Sequence, residues 1–312
     1  MNVSVLIPAV NNRRTIANVI HSVSLAAKRE SYQITHLNVY VDEDTETEDI
    51  AAKAIEAHWP EYVYCSIVYQ PVRQGKCRAI EHWIRNSWGQ DIDVYLLVNA
   101  DIHFDIYTIP RLMQHMINRN VGIVGPRIQV LPTTSPTYLH RLQEFQWYVH
   151  DYMARRNPKC GEMVAFRLPE TAASYVTHAG KIIPLIIPRW VSVDEAYLEH
   201  KFGRVVNRKI VYADEALVYT QPAPTWKQWI QRRRHVHCGH LQLRKRLGYK
   251  VASIDRNARR GLIDDLASGD FRHTSPVIPA LLEGFCRLLG WWDYLRGRDY
   301  SVWPSASQVP EE

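Results

Sequence analysis

Asn99, Ala100, Asp101, His103 and Asp105 follow directly on the apolar run Val94, Tyr95, Leu96, Leu97, Val98. A carboxylate at the end of a buried strand can bind a hard divalent cation, and an open coordination sphere suits a metal shared with phosphate oxygens. Asp101 is the strongest single ligand in this group. Asn99 offers a carbonyl oxygen or a hydrogen bond to a sugar hydroxyl, and His103 lies on the side of Asp101 if the backbone stays extended. The same residues also suit a strand-end turn in which Asp and Asn bond their own backbone. A second acidic pair, Asp194 and Glu195, opens "DEAYLEHKF". It can supply a general base to an acceptor hydroxyl, or simply an N-cap followed by a solvated Glu.

Three further groups carry charge in a usable pattern. Asp42 heads "DEDTETED" and can accept from a nucleobase N–H, while the acids after it favour a helix N-terminus. Arg73 and Lys76 flank Gly75 at a helix start, where a glycine turn and free N–H groups can hold phosphate. The run "WIQRRRHVHCGH" places Arg232, Arg233, Arg234, His235, His237 and His240 on one helix. These side chains can contact a diphosphate, a nucleic acid or solvent, and helical spacing lets only some of them face one ligand.

The elements needed to position these groups are legible in the pattern. Strands are expected at "VSVLIPA", "HLNVYV", "YVYCSIVYQ", "VYLLV" and "VGIVGPRI", with helices between them from Arg14 to about Lys28, at "DEDTETEDIAAKAIEAHW", at "KCRAIEHWIRNSW" and at "IPRLMQHMINR". Such alternation implies an α/β fold with a mostly parallel sheet flanked by helices. Ligands then sit beyond the carboxyl ends of the strands, placing Pro8–Asn12, Asp42–Asp44, Gln70–Lys76 and Asn99–Asp105 on one rim. Further along, "SPTYLHRLQEFQWYVHDYMARR" reads as a long helix, "GEMVAFR" as a short strand and "VDEAYLEHKFG" as a helix. "RKIVYADEALVYT" reads as two short strands, "TWKQWIQRRRHVHCGHLQLRKRL" as a basic helix, and the chain from about Val251 as helical and aromatic-rich.

The totals narrow the class. In 312 residues, 46% hydrophobic and 22% charged residues describe a folded chain rather than a disordered one. A net charge of +6 favours an anionic partner: nucleotide phosphate, anionic lipid or nucleic acid. The five cysteines form no CxxC pair, so reduced thiols in the cytoplasm are expected. "MNVSVLIPAV" reads as a first strand rather than a signal peptide, and no run is long and apolar enough to span a membrane.

Taken in order, these clusters resemble the large inverting GT-A glycosyltransferase family that includes cellulose, hyaluronan and dolichyl-phosphate-mannose synthases. "VSVLIPAVNN", "VYVDEDT", "QGKCRAI", "VNADIHFD", "GEMVAFR", "VDEAYL" and "WIQRRRH" are similar to that family's successive motifs, over roughly residues 2 to 245. The resemblance implies a GT-A catalytic domain over residues 1–245, with a nucleotide-sugar half (1–130) and an acceptor half (131–245). A helical, aromatic-rich extension (246–312) follows.

It implies a UDP- or GDP-sugar donor contacted by Pro8, Ala9, Asn11, Asp42, Arg73, Lys76, Asn99, Ala100 and Asp101. It further implies Mn²⁺ or Mg²⁺ on Asp101, with His103 or His235 as further candidates, and Asp194 or Glu195 as the base for inverting transfer to a hydroxyl. Gly161, Glu162, Gln231, Arg234 and His235 would line the acceptor and diphosphate side, with Met163 beside Gly161 and Glu162 on the acceptor floor. Two departures stand out: Asn99 replaces the first acid of the DxD motif, and His235 replaces the Trp of Q-x-x-R-W. A metal-dependent nucleotidyltransferase would leave a glycine-rich phosphate loop, which "IPAVNNRRT" lacks. A nucleic-acid-binding protein would leave the acidic rim unexplained. The mixed aromatic and basic composition of "LLEGFCRLLGWWDYLRGRDYSVW" suits either a helix packed on the domain or peripheral contact with an anionic membrane at the inner face.

Overall fold

The computed structural model describes residues 1–169, 176–178, 181–183, 186–251, 277–298, 300 and 302. The part of the expected helical extension between residues 252 and 276 lies outside them. The N-terminal half alternates as its pattern predicts: β1 (Asn2–Ala9), α1 (Ile16–Leu25), β2 (Lys28–Arg29), β3 (Tyr32–Asp42), α2 (Thr45–His58), β4 (Tyr64–Gln70), α3 (Lys76–Ser87) and β5 (Val94–Val98). It continues through β6 (Ile102–Phe104), α4 (Thr108–Met116), β7 (Val121–Val130) and α5 (Tyr138–Arg156). Then come β8 (Met163–Phe166), β9 (Val176–His178), β10 (Lys181–Ile183), α6 (Asp194–Leu198), β11 (Lys209–Thr220), α7 (Trp226–Leu247) and α8 (Val277–Leu295).

Strand order is β2-β3-β1-β5-β8-β7-β11-β6, with β4 also paired to β3, while β9 and β10 form a separate hairpin. The β4-β3-β1-β5 block is parallel, β8 inserts antiparallel between β5 and β7, and β6 closes the edge antiparallel to β11. Alternation along β1 sends Val3, Val5 and Ile7 into one buried layer and Leu6 into the other. Trp83 of α3 fills the second layer edge-on to Tyr95 and Phe166, and its indole N–H donates to Ser4 Oγ (2.9 Å). Each fully buried Ile, Leu or Phe in these layers contributes roughly 1.5–3 kcal/mol.

Beyond β7, β11 and β6 extend the sheet. One expectation is corrected here. "RKIVYADEALVYT" is one strand, not two: its pairing with β7 slips between Ala213 and Leu217, so Asp214, Glu215 and Ala216 form a bulge. The two acids of that bulge are held by Arg155, which binds Asp214, and by His115 (2.6 Å from Glu215).

The parallel block aligns the carboxyl ends of β1, β3, β4 and β5 on one edge, and antiparallel β8 starts at that same edge. Helices α7 and α8 pack across it. Gly290 allows their close approach, since a Cβ there would lie 2.9 Å from the Arg234 carbonyl and 2.7 Å from His237 Cβ.

Candidate active site

The aligned strand ends open into one cavity of about 2320 Å³. It is lined by Pro8, Ala9, Asn11, Asp42, Arg73, Lys76, Asn99, Ala100, Asp101, Gly161, Glu162, Asp194, Glu195, Gln231, Arg234 and His235. The residues singled out in sequence, spread over more than 220 positions, therefore converge, His103, Asp105 and Met163 excepted. Asn11, Glu43 and Glu162 all hold left-handed backbone on this rim (φ 55°, 61° and 59°). That conformation costs an L residue roughly 1–2 kcal/mol, so the surrounding contacts must over-determine it.

Asp42 ends β3 with its carboxylate turned back on the loop before α3. It accepts N–H bonds from Gly75 (2.9 Å) and Gln74 (3.3 Å). Two of the backbone donors at this helix start, Gln74 and Gly75, are thus already used by Asp42. Burial pushes the Asp42 carboxyl above its usual range despite those two bonds.

Lys76 departs from expectation in its partners. Its ammonium is 2.7 Å from Asp194 Oδ2 and 2.6 Å from Glu195 Oε1, joining the start of α3 to the start of α6. The acidic pair and the lysine form one buried unit in which two carboxylates compete for one cation. Burial raises Asp194 to about 7, with the Glu195 charge adding to the effect. Burial is the largest influence on Glu195 and opposes its ionisation, but the Lys76 charge and the hydrogen bonds to the carboxylate together outweigh it and hold Glu195 below its ordinary value. Glu195 is the more open of the two, its side chain 21% exposed against 8% for Asp194.

The replacement of an acid by Asn99 has a structural counterpart. Because β8 runs antiparallel to β5, Glu162 lies directly across from Asn99: the Asn99 N–H donates to the Glu162 carbonyl (3.1 Å) and Asn99 Nδ2 to Glu162 Oε2 (2.7 Å). Asn99 Oδ1 is buried and has no hydrogen-bond partner among the described residues. Burial, with the Asp101 charge next, raises the Glu162 carboxyl to about 7. Glu162 entered the sequence reading as acceptor floor; its place beside Asn99 and Asp101 depends on a strand pairing no local pattern reveals. Met163, the next residue, faces the core and is fully buried.

Three expected roles are corrected by contacts. His103 sits in β6, outside the cavity lining, within 3.0 Å of Gln221 Nε2. His235 does line the cavity, but its Nε2 is 2.8 Å from the Ser192 carbonyl, so that nitrogen carries the proton and is unavailable to a metal. Burial lowers the ring to about 4, and the contact ties α7 to the segment just before Asp194. Arg234 directs its guanidinium at Asp293 of α8 (2.7 and 2.9 Å), not at the acids. Arg232 also lines the cavity and forms no ion pair among the described residues.

Other residues of the cavity gave no local signal. Glu199 accepts from the Cys160 N–H and from Tyr249 Oη (2.8 Å), and burial raises it to about 7. Lys159, His150 and His240 line the same cavity. Among the described residues no group of three or more His, Cys, Asp or Glu is arranged to hold a metal unaided.

A mixed α/β sheet with flanking helices and acids at the strand ends is the architecture of a GT-A glycosyltransferase. Residues 4–173 match the family described as Glycosyl transferase family 2, and the chain belongs to that family. It is 24% identical over 123 residues to Protein RfbJ of Shigella flexneri, covering 39% of this chain and 82% of that protein. Its fold is similar to that of mannosyltransferase PcManGT from Pyrobaculum calidifontis, solved in complex with GDP-Man and Mn²⁺ (15% identity, 95% of this chain and 88% of that one, TM-score 0.62). It is also similar to glucosyl-3-phosphoglycerate synthase of M. tuberculosis (16% identity, 80% of this chain and 82% of that one, TM-score 0.50). Sugar transfer thus replaces the nucleotidyltransferase and nucleic-acid-binding readings.

Proposed function

We propose that the chain transfers a hexose from a UDP- or GDP-sugar to an acceptor hydroxyl with inversion, assisted by Mn²⁺ or Mg²⁺. The observation that carries this reading is the single cavity in which Asp101 and Asn99 face the Lys76–Asp194–Glu195 unit. The nucleotide lies along the parallel rim, against Pro8, Ala9, Asn11, Asp42 and Arg73, with Ala100 beside the sugar.

A divalent cation fits the donor set, which is all oxygen: the Asp101 carboxylate, Asn99 Oδ1, buried without a described partner, and the Glu162 carboxylate behind it. With so few protein ligands, Asp101 and Asn99 would hold the cation together with the donor, and it would supply charge neutralisation for the departing diphosphate. His103 and His235 take no part in holding it.

In the transfer step Glu195 accepts the proton of the acceptor hydroxyl. The acceptor oxygen forms its bond to the anomeric carbon from the face opposite the diphosphate, and the pair of the broken C–O bond leaves with the diphosphate. Lys76 keeps Glu195 ionised, and Asp194 shares the lysine. Arg232, rather than Arg234, is the α7 guanidinium that faces the leaving group, with Gln231 beside it. Gly161 and Glu162 form the acceptor floor.

Titration of UDP-, GDP- and dTDP-sugars with and without Mn²⁺ is expected to show one donor class bound with metal dependence, and NMR of the product an inverted anomeric configuration. A folded chain that binds no sugar nucleotide, or a product of retained configuration, would sink this reading.

The same reading includes peripheral contact with an anionic membrane. No helix among the described residues is long and apolar enough to cross a bilayer. Helix α8 packs Cys286, Gly290 and Asp293 towards α7 and leaves Leu281 (68%), Phe285, Leu288 (66%), Trp292 and Leu295 exposed along its other side. Arg296 lies over the Trp292 ring (4.5 Å) at the end of this stripe. Apolar and aromatic side chains edged by Arg suit a helix lying in the interface of an anionic leaflet. Flotation with phosphatidylglycerol vesicles but not phosphatidylcholine vesicles is expected, and Leu281→Ser with Leu288→Ser should abolish it; equal flotation of the double variant would rule the contact out.

A further inference from the structure

One wall of the cavity, built by the acceptor half together with α8, is cationic. Lys159, Arg233 and Arg287 all line it, from the α5–β8 connection, α7 and α8. Glu283 is the carboxylate among them. Arg233 (2.8 Å), Arg287 (3.1 Å) and His237 (3.0 Å) all converge on its Oε1. Arg233 and Arg287 thus share one carboxylate, which leaves an excess of positive charge, while burial holds His237 below its ordinary value.

Lys159 has no ion-pair partner among the described residues. The nearest acid, Glu199, uses its oxygens on the Cys160 N–H and Tyr249 Oη. Burial lowers the Lys159 ammonium to about 7, because the Glu199 and Glu283 charges, neither of them paired with it, do not offset its enclosure. His150 and His240 line the same cavity and are held neutral by burial, each keeping one N–H to donate. Beside them the wall is apolar, with Phe145, Met153 and Trp229.

A cluster of enclosed donors with surplus positive charge is costly unless an anion completes it. The donor diphosphate belongs with Asp101, at the ends of the parallel strands. Resting on the transferase reading above, we infer that the acceptor carries a phosphate group, and that Lys159, Arg233 and Arg287 bind it while the acceptor hydroxyl faces Glu195. The phosphate is either that of a soluble ester or the headgroup of a lipid, whose apolar part would lie along Phe145, Met153 and Trp229.

The test uses glycerol 1-phosphate, glycerol, and phosphatidate or phosphatidylcholine vesicles, with no donor present, so it is independent of sugar-nucleotide binding. Calorimetry of the full chain is expected to show saturable binding of glycerol 1-phosphate or of phosphatidate vesicles, and of neither glycerol nor phosphatidylcholine. Lys159→Met should weaken it about tenfold or more, as loss of a charge-assisted contact does, whereas Lys159→Arg and Asp101→Ala should leave it within about twofold.

Binding of glycerol 1-phosphate identifies a soluble acceptor class, and binding confined to phosphatidate identifies a lipid one. Unchanged affinity in a Lys159→Met variant that melts like wild type would overturn the proposal. So would loss of binding in Asp101→Ala, which would place the phosphate at the donor site, or failure of wild type to bind either phosphate probe. A negative donor panel with intact phosphate binding would instead count against the transferase reading alone.

Discussion

Glu195→Gln is expected to lower kcat by about 10²–10⁴-fold, the usual contribution of a positioned base, while donor affinity changes by less than about threefold. The substitution keeps the side-chain length and an oxygen near Lys76, but removes the capacity to take a proton. Asp194→Asn should cost less, because Asp194 is more enclosed and acts through Lys76. The two variants also separate in pH dependence.

With Asp194 raised to about 7 by burial and the Glu195 charge, the pair holds one proton below neutrality. That proton is shared at the expense of Glu195 basicity, so kcat/KM should rise as pH increases through about 7 and level off above it. Asp194→Asn removes the second carboxylate and should flatten that limb. If Glu195→Gln retained activity within tenfold and Asp194→Asn did not, the base would be Asp194 instead.

Asp101→Ala is expected to weaken binding of the sugar nucleotide in the presence of Mn²⁺ by about 100-fold or more, roughly 2.8 kcal/mol, and to erase the difference between titrations with and without the metal. The size follows from the donor set: Asp101 is the acid at the end of β5 that faces the cavity, and the place of its companion is taken by Asn99. Asn99→Asp should act in the opposite direction, raising Mn²⁺ affinity without nucleotide as read by electron paramagnetic resonance. It would also place a carboxylate 2.7 Å from Glu162, where the Asn99 amide now donates. Unaltered metal dependence in Asp101→Ala would remove the cation from this strand end altogether.

Much of this was legible in the chain itself. Period-two apolar runs and intervening helical patterns specify the βαβ units, and parallel strands must end on one edge, so Pro8, Asp42, Lys76 and Asp101 had to share a rim whatever the details of packing. The acidic pair at Asp194–Glu195 was visible from residue type and helix-start position. What local pattern could not reveal was partnership.

Lys76 carries the same charge whether it faces a phosphate or two carboxylates; the packing of α3 against the start of α6 chose the carboxylates. Arg234 and His235 looked alike as ligands, yet α8 supplied Asp293 to one and the Ser192 carbonyl took the other. Glu162 reached Asn99 only because β8 runs antiparallel into a parallel sheet, a choice made by pairing between segments some 65 residues apart. Residue type and period therefore determined which groups lie on the rim. Which of them remain available to a ligand was decided by long-range contacts, because a charge buried in a fold takes whatever partner the tertiary packing places within about 3 Å.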